Sequence, residues 1–196
     1  MGYHGNGGRH TDSLIDIYKH IPAHGTAVVV DHLSEEDELI VYRELKKDGP
    51  ERYTCRPLRH LADNEFLARR KTAMQRGSEV RLAIRLKESG DVVGRILLFD
   101  FNPRNRSVEI GYYTRRSHRR RGHAREALEL ILQILFARCE LNKVYAQTAE
   151  TNRASIGLLA SLGFSLDGVL REHHEIDGRL FNDHVYSLLC REFRRR

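Results

Sequence analysis

The segment RRSHRRRGHAREA, residues 115–127, carries the clearest chemistry in the sequence, because it holds six arginines in thirteen residues. It follows a strand-like run that ends near Thr114 and precedes a strongly apolar helical pattern that begins near Gly122. A helix N-terminus presents unpaired N–H groups and the positive end of the helix dipole, which attract phosphate oxygens. Gly122 lets the backbone approach a ligand closely, Ala124 keeps the first turn small, and the arginines neutralise negative charge. We therefore predict a site for one small molecule with several phosphates; a solvated loop and a nucleic-acid-binding surface are the alternatives.

The composition sets the class of protein in which this segment works. The chain has 196 residues, of which 40% are hydrophobic and 31% charged, and its net charge is +6. These values are typical of one globular domain, and the charge favours anionic partners without choosing among them. No apolar run approaches the roughly 18 residues of a membrane span, and the N-terminus lacks a signal-peptide core. Three scattered cysteines indicate reduced thiols, so we expect a cytoplasmic protein that contacts no membrane: Cys55, Cys139 and Cys190.

The elements around the arginine segment alternate between strands and helices. A β-branched strand begins at Thr26, and two helices follow, the first capped by Ser34 and the second ended by Gly77. Three strands with turn signals between them precede the arginines. A largely buried helix, a short strand, a further helix and two strands come after them, and Asp177-Gly178 is a strong hairpin signal between the last two.

This order predicts an α/β (α+β) fold with a mixed, mostly antiparallel sheet flanked by helices. We predict one domain over residues 26–196. The Gly- and His-rich start of the chain predicts a flexible extension over residues 1–25, in which TDSLIDIYKHI could form a short helix.

Three stretches resemble the GNAT acetyltransferase superfamily, and most closely its ribosomal-protein N-terminal acetyltransferases of the RimJ/RimL type. They are RSVEIGYYTRRSHRRRGHAREAL, LNKVYAQTAETNRASIGLLASLGF and GVLREHHEIDGRLFNDHVYSLL. The resemblance covers the chain from Thr26 to about Phe193. It implies a GNAT-type sheet and an acetyl-CoA-dependent N-acetyltransferase, in which a neutral primary amine attacks the thioester directly.

The acceptor that the resemblance implies is a protein N-terminus. A small-molecule amine is the alternative, since relatives act on antibiotics, amino sugars, polyamines or amino acids, and a longer acyl donor is not excluded. A non-catalytic basic module associated with RNA or the ribosome is the alternative of another class. The resemblance also allows a homodimer, because many relatives pair through their C-terminal strands.

The resemblance also assigns the residues that bind acetyl-CoA. The family pattern Arg/Gln-x-x-Gly-x-Gly/Ala falls on Arg119, Gly122 and Ala124. By this resemblance the backbone amides of residues 120–124 cradle the pyrophosphate, which adds Arg120, Arg121 and His123 to the site. The excess arginines are expected to reach the 3′-phosphate: Arg115, Arg116, Arg120 and Arg125.

A second part of the donor site is implied for the strand EIGYYT. In the family this strand splays from its neighbour, and the pantetheine arm pairs with the edge that is freed. That assigns backbone contacts to Tyr112, Tyr113 and Thr114, with one amide, such as that of Tyr113, on the thioester oxygen. The alternative for the tyrosine side chains is core packing.

Two residues are candidates for the part of the site near the thioester sulfur, one as the general acid and one as a contact to the cofactor arm. The family's general-acid hydroxyl falls on Ser155, one turn after Asn152. Ser155 in a first turn is also a common helix cap. Asn152 is expected to contact the cofactor arm, to cap the helix, or to do both.

The general base is open between two residues. RimL-type enzymes carry a glutamate in the strand before the final hairpin, and alignment on GF and DG puts His174 there, which titrates near neutrality. Glu109, on the strand that would line the acetyl group, is the other candidate, and a structural carboxylate is its alternative. We expect no metal site, because the nearby donors lack compact ligand spacing: His173, His174, His184 and Cys190.

Overall fold

Eight strands form one sheet within the residues that the computed structural model describes, which are 13–49, 52, 54 and 60–195. Their bounds are β1 Ala23–His24, β2 Val28–His32, β3 Glu79–Leu86, β4 Val92–Asn102, β5 Ser107–Thr114, β6 Lys143–Ala149, β7 Ser165–Ile176 and β8 Arg179–Leu189. The order across the sheet is β1-β2-β3-β4-β5-β6-β8-β7. The β5–β6 pair is parallel and the other neighbours are antiparallel, so the predicted mixed, mostly antiparallel sheet is confirmed.

Helices flank this sheet at the positions that their capping signals predict. They are α1 Glu35–Lys47, α2 Asp63–Gln75, α3 His123–Ala137, α4 Arg153–Ser161 and the short α5 Cys190–Phe193. The Ser34 hydroxyl accepts a hydrogen bond from the Asp37 amide at 3.1 Å, so the predicted cap of α1 is confirmed. The carbonyl oxygen of the Asn152 side chain accepts one from the Ser155 amide at 3.2 Å and caps α4 in the same way.

The helix α3 anchors the arginine segment to the core. Its apolar side chains join the main hydrophobic cluster, in which α3 packs against β2, β3 and β5. Burying such side chains stabilises the fold by about 1.5–3 kcal/mol each. The N-terminus of α3 is therefore held at a fixed place beside β5. The buried residues of α3 are Ala127, Leu128, Ile131, Leu132, Leu135 and Phe136.

The strands β5 and β6 diverge, as the resemblance implied. They pair only from Ser107 to Glu109 of β5 and from Lys143 to Tyr145 of β6. Beyond this point β5 stays paired with β4 as far as Thr114, and β6 stays paired with β8. Within the described ranges, the edge of β5 that faces β6 consequently has no strand partner after Glu109.

The last two strands form the predicted hairpin. Its turn residues Asp177 and Gly178 have φ values of 51° and 76°, the left-handed pair that a two-residue type I′ turn requires. Strand β7 is the sheet edge, and Leu166, Val169 and Leu170 on it are exposed. The homodimer stays a prediction.

The predicted extension over residues 1–25 needs a correction where the structure describes it. A 3₁₀ helix spans Leu14–His20, where a short helix was expected, and β1 follows it. Leu14 and Ile17 are buried in the main core, because the helix packs on β3. Residues 13–25 are thus part of the domain, and residues 1–12 lie outside the described ranges.

Two further expectations meet the structure only in part. No helix in the described ranges has the length and apolarity that crossing a bilayer would take. Cys139 and Cys190 are free thiols, and Cys55 lies outside those ranges.

Candidate active site

A cavity of about 970 Å³ opens where β5 and β6 part. Its walls come from β4, β5, β6, the arginine segment, the first turn of α3 and the first turn of α4. The ten residues assigned to the phosphate-binding turn, the pantetheine arm and the start of α4 line it, as do Glu109 and Ser155. The structure therefore brings these twelve predicted site residues together and leaves His174 outside. The donor-binding set is Tyr112, Tyr113, Thr114, Arg119, Arg120, Arg121, Gly122, His123, Ala124 and Asn152.

One end of the cavity is the N-terminus of α3. Gly122 is the N-cap residue with φ 83°, a left-handed conformation that L side chains rarely adopt. The first N–H groups of α3, which follow it, have no acceptor within the helix. A backbone in this conformation, at the positive end of a long helix, is suited to phosphate oxygens.

Two imidazoles at this end support a polar ligand. The Nδ1 atoms of His118 and His123 are buried and have no hydrogen-bond partner among the described residues, and both side chains line the cavity. Buried polar atoms are nearly always hydrogen-bonded, so orphaned ones at a cavity wall point to a missing polar partner. Burial, with Arg115 and Arg121 adding to it, lowers the pKa of His118. The phosphates of a coenzyme A donor fit this polar wall.

The side chain of Arg119 braces the loop. Its Nε donates to the Thr114 carbonyl at 2.9 Å, and its guanidinium pairs with the Asp48 carboxylate at the end of α1. The Tyr113 hydroxyl donates to the same carboxylate at 2.8 Å. Burial, and then the Asp48 carboxylate, strongly raise the pKa of Tyr113, so its hydroxyl keeps its proton. Arg119 thus holds the loop to α1.

Some of the other arginines in the segment bond to α1, and others line the cavity. Glu44 of α1 accepts hydrogen bonds from Arg115 Nε at 2.6 Å and from the Arg116 amide at 2.8 Å. Arg115 and Arg116 do not line the cavity, so their expected contacts with the 3′-phosphate have no support from this placement, whereas Arg125 does line it. Arg120 and Arg121 do line it, and no ion pair joins either to another described residue.

The middle of the cavity carries a pair of hydroxyls. The hydroxyl oxygens of Tyr112 on β5 and Ser155 on α4 are 2.8 Å apart. Burial raises the pKa of the Tyr112 phenol to about 12, so the phenol is neutral at physiological pH. The buried hydroxyl of Thr148 on β6 also lines the cavity and has no hydrogen-bond partner among the described residues.

The two candidate bases lie in different places. Glu109 is 6% exposed and lines the cavity at the last paired position of β5 and β6. His174 is 1% exposed and does not line the cavity, because β7 lies beyond β8 at the sheet edge. Its Nδ1 is hydrogen-bonded to the Asp183 carboxylate at 2.9 Å. The interpretation of His174 as a base in direct contact with substrate is therefore corrected.

Gln147 and Asp183 were missed by reasoning from the sequence. The Gln147 amide donates to Asp183 Oδ2 at 2.7 Å, and Gln147 itself lines the cavity. His174 is thus separated from the cavity by a carboxylate and an amide. The strand alternation of KVYAQTA could have indicated that Gln147 shares a face with Tyr145, but nothing local indicated its partner.

A buried ion cluster under α1 was also missed. Glu38 is fully buried, and its carboxylate pairs with three arginines from three elements: Arg70, Arg81 and Arg95. Periodicity offered a signal for Glu38, because it shares the helix face of the buried Val41 and Tyr42. Arg95 lines the cavity on the same face of β4 as Leu97 and Phe99.

Comparisons with known proteins agree with this geometry. The family model described as "Acetyltransferase (GNAT) domain" matches residues 28–165. An N-acetyltransferase named p20 from Bacillus licheniformis is 35% identical over 117 residues, which is 60% of this chain and 66% of that protein. The N-acetyltransferase YoaA of Bacillus subtilis (strain 168) is 29% identical over 56% of this chain and 62% of its own length. The chain thus spans less than two thirds of these relatives.

Solved structures share the fold at lower identity. The spermidine N-acetyltransferase from Vibrio cholerae, in complex with CoA and spermine, has a TM-score of 0.79 at 20% identity, over 86% of this chain and 99% of that one. Mycobacterium smegmatis RimJ, in complex with CoA-disulfide, has a TM-score of 0.71 at 21% identity, over 84% and 83%. These likenesses show the fold. Since the family model extends over more than half of the sequence, from β2 to the start of β7, the chain belongs to the GNAT acetyltransferase family.

Proposed function

We propose that the chain is an acetyl-CoA-dependent N-acetyltransferase, which moves the acetyl group to a primary amine by direct attack of the neutral amine on the thioester. The observation that carries this proposal is one continuous cavity, which joins the helix N-terminus at Gly122 to the parted edge of β5. The first feature suits phosphates and the second suits an extended amide-bearing arm.

The donor is held chiefly by backbone groups in this proposal. The amides of residues 120–124 contact the pyrophosphate, and Arg120 and Arg121 add positive charge. The backbone of residues 112–114 pairs with the pantetheine arm, and Asn152 contacts it from α4. When bound, acetyl-CoA supplies an acyl carbon activated by its thioester.

Ser155 holds the proton for the departing sulfur. As the C–N bond forms and the C–S bond breaks, the sulfur needs a proton, and the Ser155 hydroxyl supplies it. The neutral phenol of Tyr112, 2.8 Å away, orients that hydroxyl. Because Asn152 caps the same helix turn, the side chain of Ser155 does not have to serve as the cap.

Glu109 takes the proton that the amine gives up. Its side chain is in the cavity wall at the point where β5 loses its β6 partner. A carboxylate there accepts the proton directly or through water. His174 serves the site indirectly, by fixing Asp183 and so the amide of Gln147.

The acceptor in this proposal is a protein N-terminus, as the resemblance implies. A small-molecule amine is the other candidate, because the fold neighbours include both a spermidine acetyltransferase and RimJ. A non-catalytic RNA-binding module is less well supported, since the arginines of the segment divide between braces to α1 and a cavity wall.

Thermal unfolding with acetyl-CoA, desulfo-CoA or a short RNA, each at two salt concentrations, tests the proposal first. We expect both coenzyme A ligands to raise the melting temperature, because a ligand that binds only the folded state stabilises it. Mass spectrometry of an amine panel then detects transfer. Stabilisation by RNA alone, falling steeply with salt, would refute the enzyme and favour the RNA-binding module.

A further inference from the structure

The buried ion cluster under α1 carries one more positive charge than negative. Glu38 contacts Arg70, Arg81 and Arg95, and Glu79 contacts Arg81 at 2.7 Å. Among the residues that the structure describes, three guanidinium groups therefore share two carboxylates. An unbalanced charge in a buried cluster costs free energy unless another group compensates it.

Arg95 is the member of this cluster at the cavity. Arg70 and Arg81 do not line the cavity, whereas Arg95 does. Among the described residues Glu38 is the sole hydrogen-bond partner of the Arg95 guanidinium, which has five N–H donors. Burial lowers the pKa of Arg95, and Glu38 opposes that shift, so the environment leaves room for more negative charge.

Arg95 lies on the face of β4 that α1 covers, since its guanidinium pairs with Glu38 of α1, and it shares one cavity wall with the proposed base. Arg95, Leu97 and Phe99 follow one another on one face of β4, opposite Tyr113, Gly111 and Glu109 of β5. Four residues along a strand span about 13 Å, so Arg95 and the proposed base Glu109 stand at two ends of one wall. Gly111 and Leu97 lie between them on this face.

We propose that Arg95 binds a carboxylate of the acceptor, so that the preferred acceptor is a primary amine that also carries a carboxylate. This inference rests on the proposed acetyltransferase function. A guanidinium and a carboxylate match in geometry and in charge. Because Arg95 and Glu109 stand at two ends of one wall, this carboxylate is separated from the amine by several bonds. It is either the carboxylate of a long-chain amino acid or an acidic side chain near a peptide N-terminus. A polycation such as spermidine is a poor acceptor, because Arg95 repels it.

Matched pairs of acceptors test this proposal. The pairs are 6-aminohexanoate with 6-aminohexanamide, and the peptide Ser-Asp-Ala-amide with Ser-Asn-Ala-amide; spermidine is assayed beside them. We expect the wild-type protein to favour the carboxylate member of at least one pair by about tenfold in kcat/KM. The pair that shows the preference identifies the source of the carboxylate.

The variants separate recognition from structure. Arg95→Gln is expected to reduce the preference to within about twofold, whereas Arg95→Lys keeps part of it because the charge remains. Arg70→Gln is the matched control: it removes another partner of Glu38 away from the cavity and leaves the preference unchanged. Arg95→Gln leaves Glu38 and Glu79 each paired with an arginine, whereas Arg81→Gln removes the arginine that pairs with Glu79, so we expect Arg95→Gln to lower the melting temperature less.

Equal rates within both pairs, a preference that survives in Arg95→Gln, or a panel in which no carboxylate-bearing amine reacts would each overturn the proposal. The thermal experiment with acetyl-CoA distinguishes a failure of the proposed acetyltransferase function from a failure of the role proposed for Arg95. A protein that acetyl-CoA stabilises, and that acetylates both members of a pair equally, contradicts only the role of Arg95. A protein that acetyl-CoA does not stabilise contradicts the proposed function and this inference together.

Discussion

The hydroxyl oxygens of Tyr112 and Ser155 lie 2.8 Å apart and join β5 to α4 across the cavity. The two residues are 43 positions apart in the sequence, so the contact exists only in the folded chain. A neutral phenol beside a serine hydroxyl restricts the rotation of that hydroxyl and so fixes where its proton points.

We expect Ser155→Ala to lower kcat by about 100-fold, in the range of a lost general acid, with little change in the KM for acetyl-CoA. Tyr112→Phe removes only the orienting hydroxyl, and we expect a loss of about tenfold. Since both act on one proton, the double variant should be no slower than Ser155→Ala. Steady-state kinetics of the three variants measures this, and additive losses would contradict the coupling.

The ion pair between Arg119 and Asp48 predicts the direction in which coenzyme A affinity changes when either residue is replaced. Arg119→Gln and Asp48→Asn each break the brace, so both should weaken coenzyme A binding, by up to about tenfold or 1.4 kcal/mol. Titration calorimetry measures the two affinities. If the Arg119 side chain instead acted on a phosphate directly, Asp48→Asn would release it and strengthen binding, which is the opposite result.

The left-handed conformation of Gly122 predicts how the Gly122→Ala substitution changes stability and coenzyme A binding. Gly122→Ala should destabilise the protein by about 1 kcal/mol, because an L residue at φ 83° is strained. It should also weaken coenzyme A binding. Gly157→Ala in α4 is the matched control, since its Cβ meets nothing within 4 Å, and alanine in a helix is favoured over glycine by about 0.5–1 kcal/mol. Melting curves that rank the two variants the other way would contradict the assignment.

The buried Glu38 predicts how stability depends on pH. Burial alone would raise its pKa, but the attraction of Arg95, Arg81 and Arg70 outweighs burial and lowers the pKa below the usual 4.5. A depressed carboxylate pKa contributes stability above the unfolded value, and that stability is lost as the pH falls through the folded value. Denaturant unfolding should therefore show constant stability from this group near neutrality and a decline below about pH 4.5.

Glu38→Gln is the variant that checks this assignment. It should cost about 3 kcal/mol near neutrality, because it leaves three buried arginines without their shared carboxylate. It should also reduce the acid-induced loss. The exposed pair of Glu65 with Arg69 provides the control, since Glu65→Gln should change stability by less than about 1 kcal/mol.

The two candidate bases are separated by their variants. Glu109→Gln should lower kcat/KM by about 100-fold or more, because it removes the proton acceptor. His174→Asn keeps a donor for Asp183, so the amide of Gln147 stays in place, and we expect a loss of less than about fivefold. A large loss in His174→Asn together with a normal rate in Glu109→Gln would reverse the assignment.

Local signals predicted the parts of the fold that depend on neighbouring residues. Ser34 and Asn152 cap the helices that follow them, and Asp177-Gly178 forms the hairpin turn, because each effect acts within a few residues. The prediction that β5 and β6 diverge came from the resemblance to the family and not from local signals.

Contacts between distant elements could not be predicted. The place of His174 depends on how β7 pairs with β8, and the register shifts between Leu170 and His174. A one-residue slip reverses which face a side chain occupies, so alignment alone could not place it. Arg70 meets Glu38 across 32 positions, and Leu14 and Ile17 are buried because their 3₁₀ helix packs on β3.

The helix α1 fixes the distance between Arg95 on β4 and the arginine segment, because it contacts both. Glu38 in its first turn pairs with Arg95, which we propose binds the acceptor, and Glu44 and Asp48 at its far end pair with the arginine segment, which we propose binds the donor. At 1.5 Å per residue these anchor points are about 9 and 15 Å apart along one rigid rod. Deleting a single residue between them would shorten the rod and turn its two ends against each other by about 100°. Either substrate can change over evolution by substitution at its own end, while the length of α1 between them has to stay constant.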